Sequence, residues 1–181
     1  MSEKVLQTLL ERFPNEILAS HAHVGDETLI TNAEHVLAIA TFLRQDPQMA
    51  FDFMSDVTAV DYLQRVPRFE VVYHLYSTTL RHRIRVKIAL PEDSPTMPTL
   101  SGLWGAANWG EREVWDMYGV HFEGHPNLRR VLMYEEFEGH PLRKDYPIQQ
   151  SQPRMDLRRK ERDAVEEYHT LYRTRGDQEA K

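Results

Sequence analysis

The sequence predicts an α+β fold: a mixed or antiparallel sheet of about five strands with helices on one face, followed by an irregular C-terminal extension. Residues 69–76 and 83–90 alternate between apolar and polar side chains, the period of half-buried strands. Residues 5–13 and 36–43 repeat apolar side chains at helical spacing. Residues 120–148 instead carry turn chemistry and little periodicity, which predicts the extension.

The elements of the N-terminal half alternate between helix and strand signals. The predicted ranges are a helix over 5–13, strands over 16–23, 28–30 and 49–53, and a helix over 36–43 that ends before Pro47. Thr31 and Glu34 predict a capping box at the start of the second helix, because the hydroxyl can accept a helix N–H while the carboxylate reaches back. In the hairpin that follows, the second strand has a cationic outer row of Arg83, Arg85 and Lys87.

A third helix is predicted over residues 104–118, closed by Gly119. Large aromatic side chains fall on both of its sides, so one side needs a partner besides the sheet. Glu111 lies within one aromatic stripe, where burial of an unpaired carboxylate is costly. We expect a cationic partner for it from the segment that follows: Arg129, Arg130 or Arg143. The alternative is a charged helix whose acidic side chains face water.

Composition excludes several classes of protein. With 22 Lys plus Arg against 28 Asp plus Glu, the net charge of −6 argues against a general polyanion binder. The absence of cysteine excludes disulfides, thiolate-bound clusters and cysteine nucleophiles. The uncharged stretch 94–110 is too short and too rich in Pro and Gly to span a membrane, and no signal peptide is expected. A tail helix in the charged C-terminal residues would have only a thin apolar stripe, from Leu157 to Tyr172, to pack against other elements.

Three histidines form the only cluster in the sequence that resembles a metal site: His121, His125 and His140. Gly124 and Pro126 argue against a helix that would bring the first two together, and no further ligand stands at a recognisable spacing. We therefore favour hydrogen-bonded or solvent-facing histidines over a zinc site.

Two further site types are disfavoured by the sequence. Gly102-Leu103-Trp104-Gly105 lacks the lysine of a phosphate loop, and no dinucleotide-binding glycine motif is present. The cationic strand suggests RNA, but the negative net charge and the few aromatic residues beside it favour a solvated or partner-facing surface.

A dense motif over the third helix and the segment after it identifies a family. Residues 111–118 read Glu-Arg-Glu-Val-Trp-Asp-Met-Tyr, and His125 and residues 129–132, Arg-Arg-Val-Leu, follow. Further matching stretches are 56–62, 107–109, 122–125 and 141–147. The pattern resembles the 30 kDa subunit family of respiratory complex I, which is the C subunit in the bacterial NADH:quinone oxidoreductase. The likeness spans about residues 30–147 and is most specific over 107–147.

The resemblance implies a non-catalytic peripheral-arm subunit of a proton-translocating NADH:quinone oxidoreductase, which scaffolds the quinone-reducing module by docking on the 49 kDa-type subunit. It implies that this chain holds no catalytic, cofactor or metal residue, and that NADH, FMN, iron–sulfur clusters and quinone belong to partner subunits. Residues 1–119 would form the α+β domain, and 120–181 a docking segment and a charged tail that wraps a partner. The expected location is peripheral, at the cytoplasmic side of a bacterial inner membrane, reached only through the complex and without nucleic acid.

By the same resemblance, ten residues are expected to form a polar interface network. They are Glu111, Arg112, Glu113, Asp116, His125, Arg129, Arg130, Arg143, Lys144 and Asp145. Two alternatives stay open: a free-standing metal-dependent hydrolase that uses the three histidines, and an independent RNA-binding module. The electron donor (NADH, ferredoxin or F420), the quinone type, and a bacterial or processed organellar origin are also left open.

Overall fold

The computed structural model describes residues 3–149 and 151–153. The elements are α1 (Glu3–Arg12), β1 (Ile17–His23), β2 (Asp26–Thr31), α2 (Ala33–Gln45), β3 (Phe53–Asp61), β4 (Phe69–Tyr76), β5 (Arg83–Leu90), β6 (Thr96–Pro98), α3 (Gly105–Tyr118) and β7 (His121–Glu123). The described residues up to 149 belong to one compact unit, which includes the segment after α3. The tail helix considered for 157–172 lies outside the described residues.

Five strands form a mixed sheet in the order β1-β2-β5-β4-β3. Neighbouring strands are antiparallel except β2 and β5, which are parallel. A parallel pair requires a long crossover connection, and here α2, β3 and β4 lie between the two strands. Apolar side chains of all three helices join one core cluster with the strands, among them Leu9, Ile39 and Val114. The predicted α+β class, with a mixed sheet and helices on one face, is confirmed.

The central hairpin has the bounds that its alternation predicted. Tyr73 on β4 pairs with Val86 on β5, and both side chains are buried in the core. The next pair, His74 with Arg85, points to the opposite face, because successive strand residues alternate between faces. The cationic row predicted on β5 therefore lies on the face of the sheet away from the helices.

Two local predictions in the N-terminal half are wrong. Thr31 ends β2 instead of capping α2, and its hydroxyl donates to the Glu16 carbonyl at 2.7 Å. The N-cap is Asn32, whose side chain makes no capping bond. The apolar alternation over 49–53 belongs mainly to a buried loop, since β3 begins only at Phe53. Burial of a loop against the core produces the same apolar pattern as a strand, so periodicity could not separate them.

Helix α3 packs on β3 through a glycine and ends at another. A Cβ on Gly110 would lie 2.7 Å from the Val57 Cβ, so the side chain of any other residue would push the helix from the sheet. Gly119 caps the helix at φ +76°, and its N–H donates to the Trp115 carbonyl at 2.8 Å. The predicted range of this helix and its glycine cap are confirmed.

Candidate functional site

A buried aspartate on α3 holds the irregular segment that follows. Asp116 Oδ1 accepts from the Arg130 guanidinium at 2.6 Å. Its Oδ2 accepts the backbone N–H groups of Val131, Leu132 and Met133 at 2.9–3.0 Å. Burial acts to raise the pKa of Asp116, but these donors outweigh it and lower the pKa. The aspartate therefore stays ionised and fixes three consecutive residues that have no strand or helix to bond with.

Two arginines complete what we call the Asp116 cluster, consisting of Asp116, Arg112 and Arg130. Arg130 also donates to the carbonyls of Phe137 and Gly139 at 2.8 and 3.0 Å. The buried Arg112 donates to the backbone carbonyls of residues 129 and 130, each at 3.1 Å. The guanidinium groups thus replace the backbone N–H donors that regular secondary structure would supply to these carbonyls.

A second ionic cluster fixes the end of the same segment to the sheet. Arg68, whose side chain is buried just before β4, forms a bidentate pair with Asp61, both N–O distances being 2.8 Å. It also binds Asp145 at 2.8 Å and Glu92 at 2.6 Å, and the Lys144 N–H donates to Asp61 at 2.8 Å. The Arg68 hydrogen bonds hold the pKa of Asp61 below its usual value. We call Arg68, Asp61, Glu92 and Asp145 the Arg68 cluster.

Between the two clusters, the segment is bound to the C-terminal end of α3. Arg143 Nε donates to the Tyr118 carbonyl at 2.5 Å, and the Leu142 N–H donates to the Met117 carbonyl at 3.1 Å. His140 Nδ1 lies 3.0 Å from the Asp116 carbonyl oxygen. A Cβ on Gly119 would lie 2.5 Å from an Arg143 nitrogen, so the helix end and the segment pack without space between them.

Glu111 is buried, as expected, but the prediction of an arginine partner is wrong. Its carboxylate accepts the Tyr73 hydroxyl at 3.0 Å, the Leu100 N–H at 2.7 Å and the Thr99 hydroxyl. Burial raises its pKa, and these hydrogen bonds oppose the shift. Of the three expected arginines, Arg130 binds Asp116 instead, which lies five residues further along and about 140° around the helix from Glu111. Spacing alone could not tell which acid faced this arginine.

The three histidines do not form a common site within the described residues. His125 Nε2 lies 3.1 Å from the Asn108 carbonyl, and its Nδ1 accepts the Asn127 N–H at 3.1 Å. His140 lies against α3, and His121 begins β7 with an exposed side chain. Across residues 3–149 and 151–153, no group of three His, Cys, Asp or Glu side chains is arranged to hold a metal ion. The hydrolase alternative gains no support from this geometry.

Several apolar side chains beside α3 remain exposed. Trp109 is 63% exposed, and the Arg112 guanidinium lies 4.7 Å from the centre of its ring. Leu132, one of the three residues whose N–H groups Asp116 binds, is 56% exposed, and Leu142 is about half exposed. The exposed Arg129 side chain forms no hydrogen bond or ion pair within the described part of the chain. We call Trp109, Arg129, Leu132 and Leu142 the Trp109 surface.

The ten residues predicted for the interface fall into different environments. Glu111, Arg112 and Asp116 are buried, His125, Arg130 and Arg143 are partly buried, and Glu113, Arg129, Lys144 and Asp145 are exposed. The sequence alone did not single out Arg68. No local pattern marked it, because its partners Asp61, Glu92 and Asp145 lie in separate parts of the chain.

Fold and site together define an α+β protein whose irregular segment after α3 is held against α3 and the sheet by ionic clusters. The family model described as respiratory-chain NADH dehydrogenase, 30 Kd subunit, matches residues 29–152. The chain therefore belongs to this family, and the resemblance carried by the motif is confirmed. Within the described residues, no helix combines the length and apolarity that crossing a membrane requires.

Individual relatives agree with the family. The C subunit of the NADH-quinone oxidoreductase from Roseiflexus sp. (strain RS-1) is 49% identical over 144 residues, covering 80% of this chain and 83% of the relative. A solved structure of the trypsin-resistant fragment (1-134) of Nqo5 is 32% identical, with a TM-score of 0.62 over 71% of this chain and all of that one. A chain in the membrane-bound sulfane sulfur reductase, an archaeal respiratory membrane complex, is 26% identical, with a TM-score of 0.70 over 81% and 86%.

Proposed function

We propose that this chain is a non-catalytic peripheral-arm subunit of a proton-translocating NADH:quinone oxidoreductase. It docks on the 49 kDa-type subunit and holds the quinone-reducing module in register, while NADH, FMN, iron–sulfur clusters and quinone are bound by partner subunits. Family membership supports a place in the complex, and the relatives named as subunits of NADH-quinone oxidoreductase support the reaction that the complex performs. The chain reaches the cytoplasmic side of the membrane through its partners.

The observation that carries this proposal is the exposure of Trp109 on a helix whose other large apolar side chains are buried or half-buried. Tryptophan and arginine are the residue types that contribute most often to binding energy at protein interfaces. Here the Arg112 guanidinium stacks on the Trp109 ring and simultaneously binds two backbone carbonyls, so the ring is held in place before a partner arrives. A preorganised aromatic side chain loses little conformational entropy on docking.

The predicted interface residues fall into a buried group and an exposed group, which have different roles. The buried members, among them Asp116 and Arg112, act indirectly by fixing the segment that carries Leu132. The exposed Arg129 and Trp109 make the contacts with the partner. A shift of about 1 Å in docked elements can weaken catalysis by a neighbouring subunit, so a rigid scaffold affects quinone reduction without touching substrate.

The test replaces exposed groups of the Trp109 surface in the native complex. We expect W109A combined with R129E to reduce the assembled complex on native electrophoresis at least tenfold, because an interface tryptophan contributes about 2 kcal/mol or more and 1.4 kcal/mol is a factor of ten. NADH-driven quinone reduction should fall in the same proportion. The matched control is R12E on α1, an exposed charge reversal away from α3, which should leave both unchanged.

Complete assembly and full activity of the double variant would contradict the assignment of this surface. The isolated variant must also remain folded, which the exposed positions of both side chains favour. A urea titration of the purified chain provides this check.

A further inference from the structure

The five-stranded sheet has two edge strands, β1 and β3. An edge strand directs every second backbone N–H and C=O group away from its one neighbour, which makes it a template for a further strand. Within residues 3–149 and 151–153, the backbone of β1 forms hydrogen bonds only with β2. Helix α3 packs on β3, so the free edge of β1 lies at the other side of the sheet from the Trp109 surface.

The two edge strands differ in their protection against pairing with another strand. Charged side chains, proline and bulges are the usual protection. On β3 the register is irregular between Met54 and Asp56, and the Asp56 carboxylate is exposed. β1 contains no Asp, Glu, Lys, Arg or Pro, and its irregularity lies at its start, between Ile17 and Ala19. Residues 19–23 therefore form a regular, uncharged edge that another strand can pair with.

A concavity of about 410 Å³ lies beside this edge, between β1 and α1. Its lining consists of Leu6, Gln7, Leu10, Glu11 and Ser20. Ser20 pairs with Leu29, which is buried in the core, so both side chains point to the helix side of the sheet. A strand paired with β1 places every second side chain on that same side, where Leu10 is 42% exposed.

Further apolar side chains are exposed at both ends of β1. Leu18 is 56% exposed near its start, and Val24 is 88% exposed in the turn that follows it. Val24 also has a φ of +55°, a conformation that is strained for a β-branched residue. So exposed a side chain gains little from contacts within its own chain, whereas contact with another chain would offset this strain.

Two possible occupants of the edge fit these features poorly. A second copy that pairs through its own β1 brings only Ser20 and Ala22 to the helix side, and such small side chains leave Leu10 uncovered. Residues 154–181 of this chain are dense in charge and contain no run of aliphatic residues at every second position.

We propose that the free edge of β1 binds an extended segment of another subunit as a sixth strand, with branched aliphatic side chains at every second position. The outward N–H and C=O groups of β1 bind the backbone of this segment, and the concavity beside α1 receives its aliphatic side chains. The inference uses the membership of a multi-subunit complex, but it does not depend on the Trp109 surface or on the partner docked there.

The first test compares hydrogen exchange of β1 in the full isolated chain and in the assembled complex. In the isolated chain, the amides of residues 19–23 that point away from β2 should exchange rapidly at every protein concentration. In the complex, the same amides should exchange at least tenfold more slowly. Protection in the isolated chain would overturn the proposal, because a second copy or the same chain would then cover the edge. Absence of protection in the complex would overturn it as well.

The second test identifies the occupant by photo-crosslinking in the assembled complex. A photoreactive phenylalanine analogue replaces His21, which is exposed on β1. We expect the crosslinks to fall in a segment of another subunit that has aliphatic residues at every second position. Crosslinks only to this chain, to a second copy or to segments without that pattern, or no crosslinks at all, would overturn the proposal.

The third test adds charge to the edge with A19K/A22K, two changes at exposed positions of β1. The protection of β1 in the complex, relative to the isolated variant, should fall at least tenfold. The matched control is A38K at an exposed position of α2, which should keep the protection of the parent. Full protection in A19K/A22K would contradict the proposal. Assembly through the Trp109 surface is measured separately, so failure of these tests leaves the proposed function standing.

Discussion

Replacing Asp116 by asparagine tests whether the buried ionic cluster holds the segment after α3. Asparagine has the same shape, but only one of its two terminal atoms accepts hydrogen bonds. Asp116 uses one oxygen for three backbone N–H groups and the other for Arg130. In D116N one of these two sets of donors therefore faces an amide NH₂ group.

The cost follows from the burial of the pair. Removing one partner of a buried ion pair typically costs about 3–5 kcal/mol. Arg130 keeps its bonds to two backbone carbonyls and is slightly exposed, so we take the lower figure, about 3 kcal/mol. This corresponds to roughly a 100-fold change in an equilibrium constant. The cost should appear first as local opening of the segment, because the apolar core does not depend on this carboxylate.

The assay is native-state hydrogen exchange of the full chain. We expect the amides of Val131, Leu132 and Met133 to exchange roughly 100-fold faster in D116N, while amides in β4 change little. The control is E113Q, the same chemical change at an exposed carboxylate three residues earlier on α3. If the three amides exchange at parent rates in D116N, the cluster does not hold the segment and the reasoning is refuted.

Three further predictions concern stability, measured by urea unfolding of the purified chain. Arg68 lowers the pKa of Asp61 below its usual 3.8, so Asp61 stabilises the folded chain only while it is ionised. The loss of unfolding free energy in D61N should therefore be largest above pH 4 and decrease as the pH falls through the lowered pKa. A loss independent of pH would contradict this. G119A should cost about 1–3 kcal/mol, since its φ is +76° and an arginine and a histidine leave no space, whereas G102A should be nearly neutral because nothing lies within 4 Å of the added carbon. G110A should lower the free energy of unfolding by about 1–3 kcal/mol, because the added carbon overlaps Val57. An unchanged unfolding midpoint would show that α3 can shift away from β3 without loss of stability.

The elements predicted most accurately are those whose sequence pattern is compatible with only one type of secondary structure. The hairpin of β4 and β5 alternates over eight residues in each strand, and α3 ends at a glycine with positive φ, so both were predicted correctly. Thr31 and the 49–53 stretch carried two competing signals each. A threonine suits a strand as well as a cap, and a buried loop is as apolar as a strand, so tertiary packing decided both.

The site was harder to predict, because its contacts join residues far apart in the chain. The sequence indicated that Glu111 would be buried, but its partners Tyr73 and Leu100 come from elements whose packing no local pattern specifies. Arg68 reaches Asp145, 77 residues away, through a register that only the assembled sheet defines. The family motif covers the segment that the ionic clusters hold, whereas assigning each charge to its partner required the three-dimensional structure.

The most direct test of the central claim is photo-crosslinking in the assembled complex. A photoreactive phenylalanine analogue replaces Trp109, whose side chain is 63% exposed, and the complex is irradiated and analysed by mass spectrometry. We predict that the crosslinked peptides come mainly from the 49 kDa-type subunit. Assembly of the complex with crosslinks only to other subunits, or to none, would contradict the proposed docking surface.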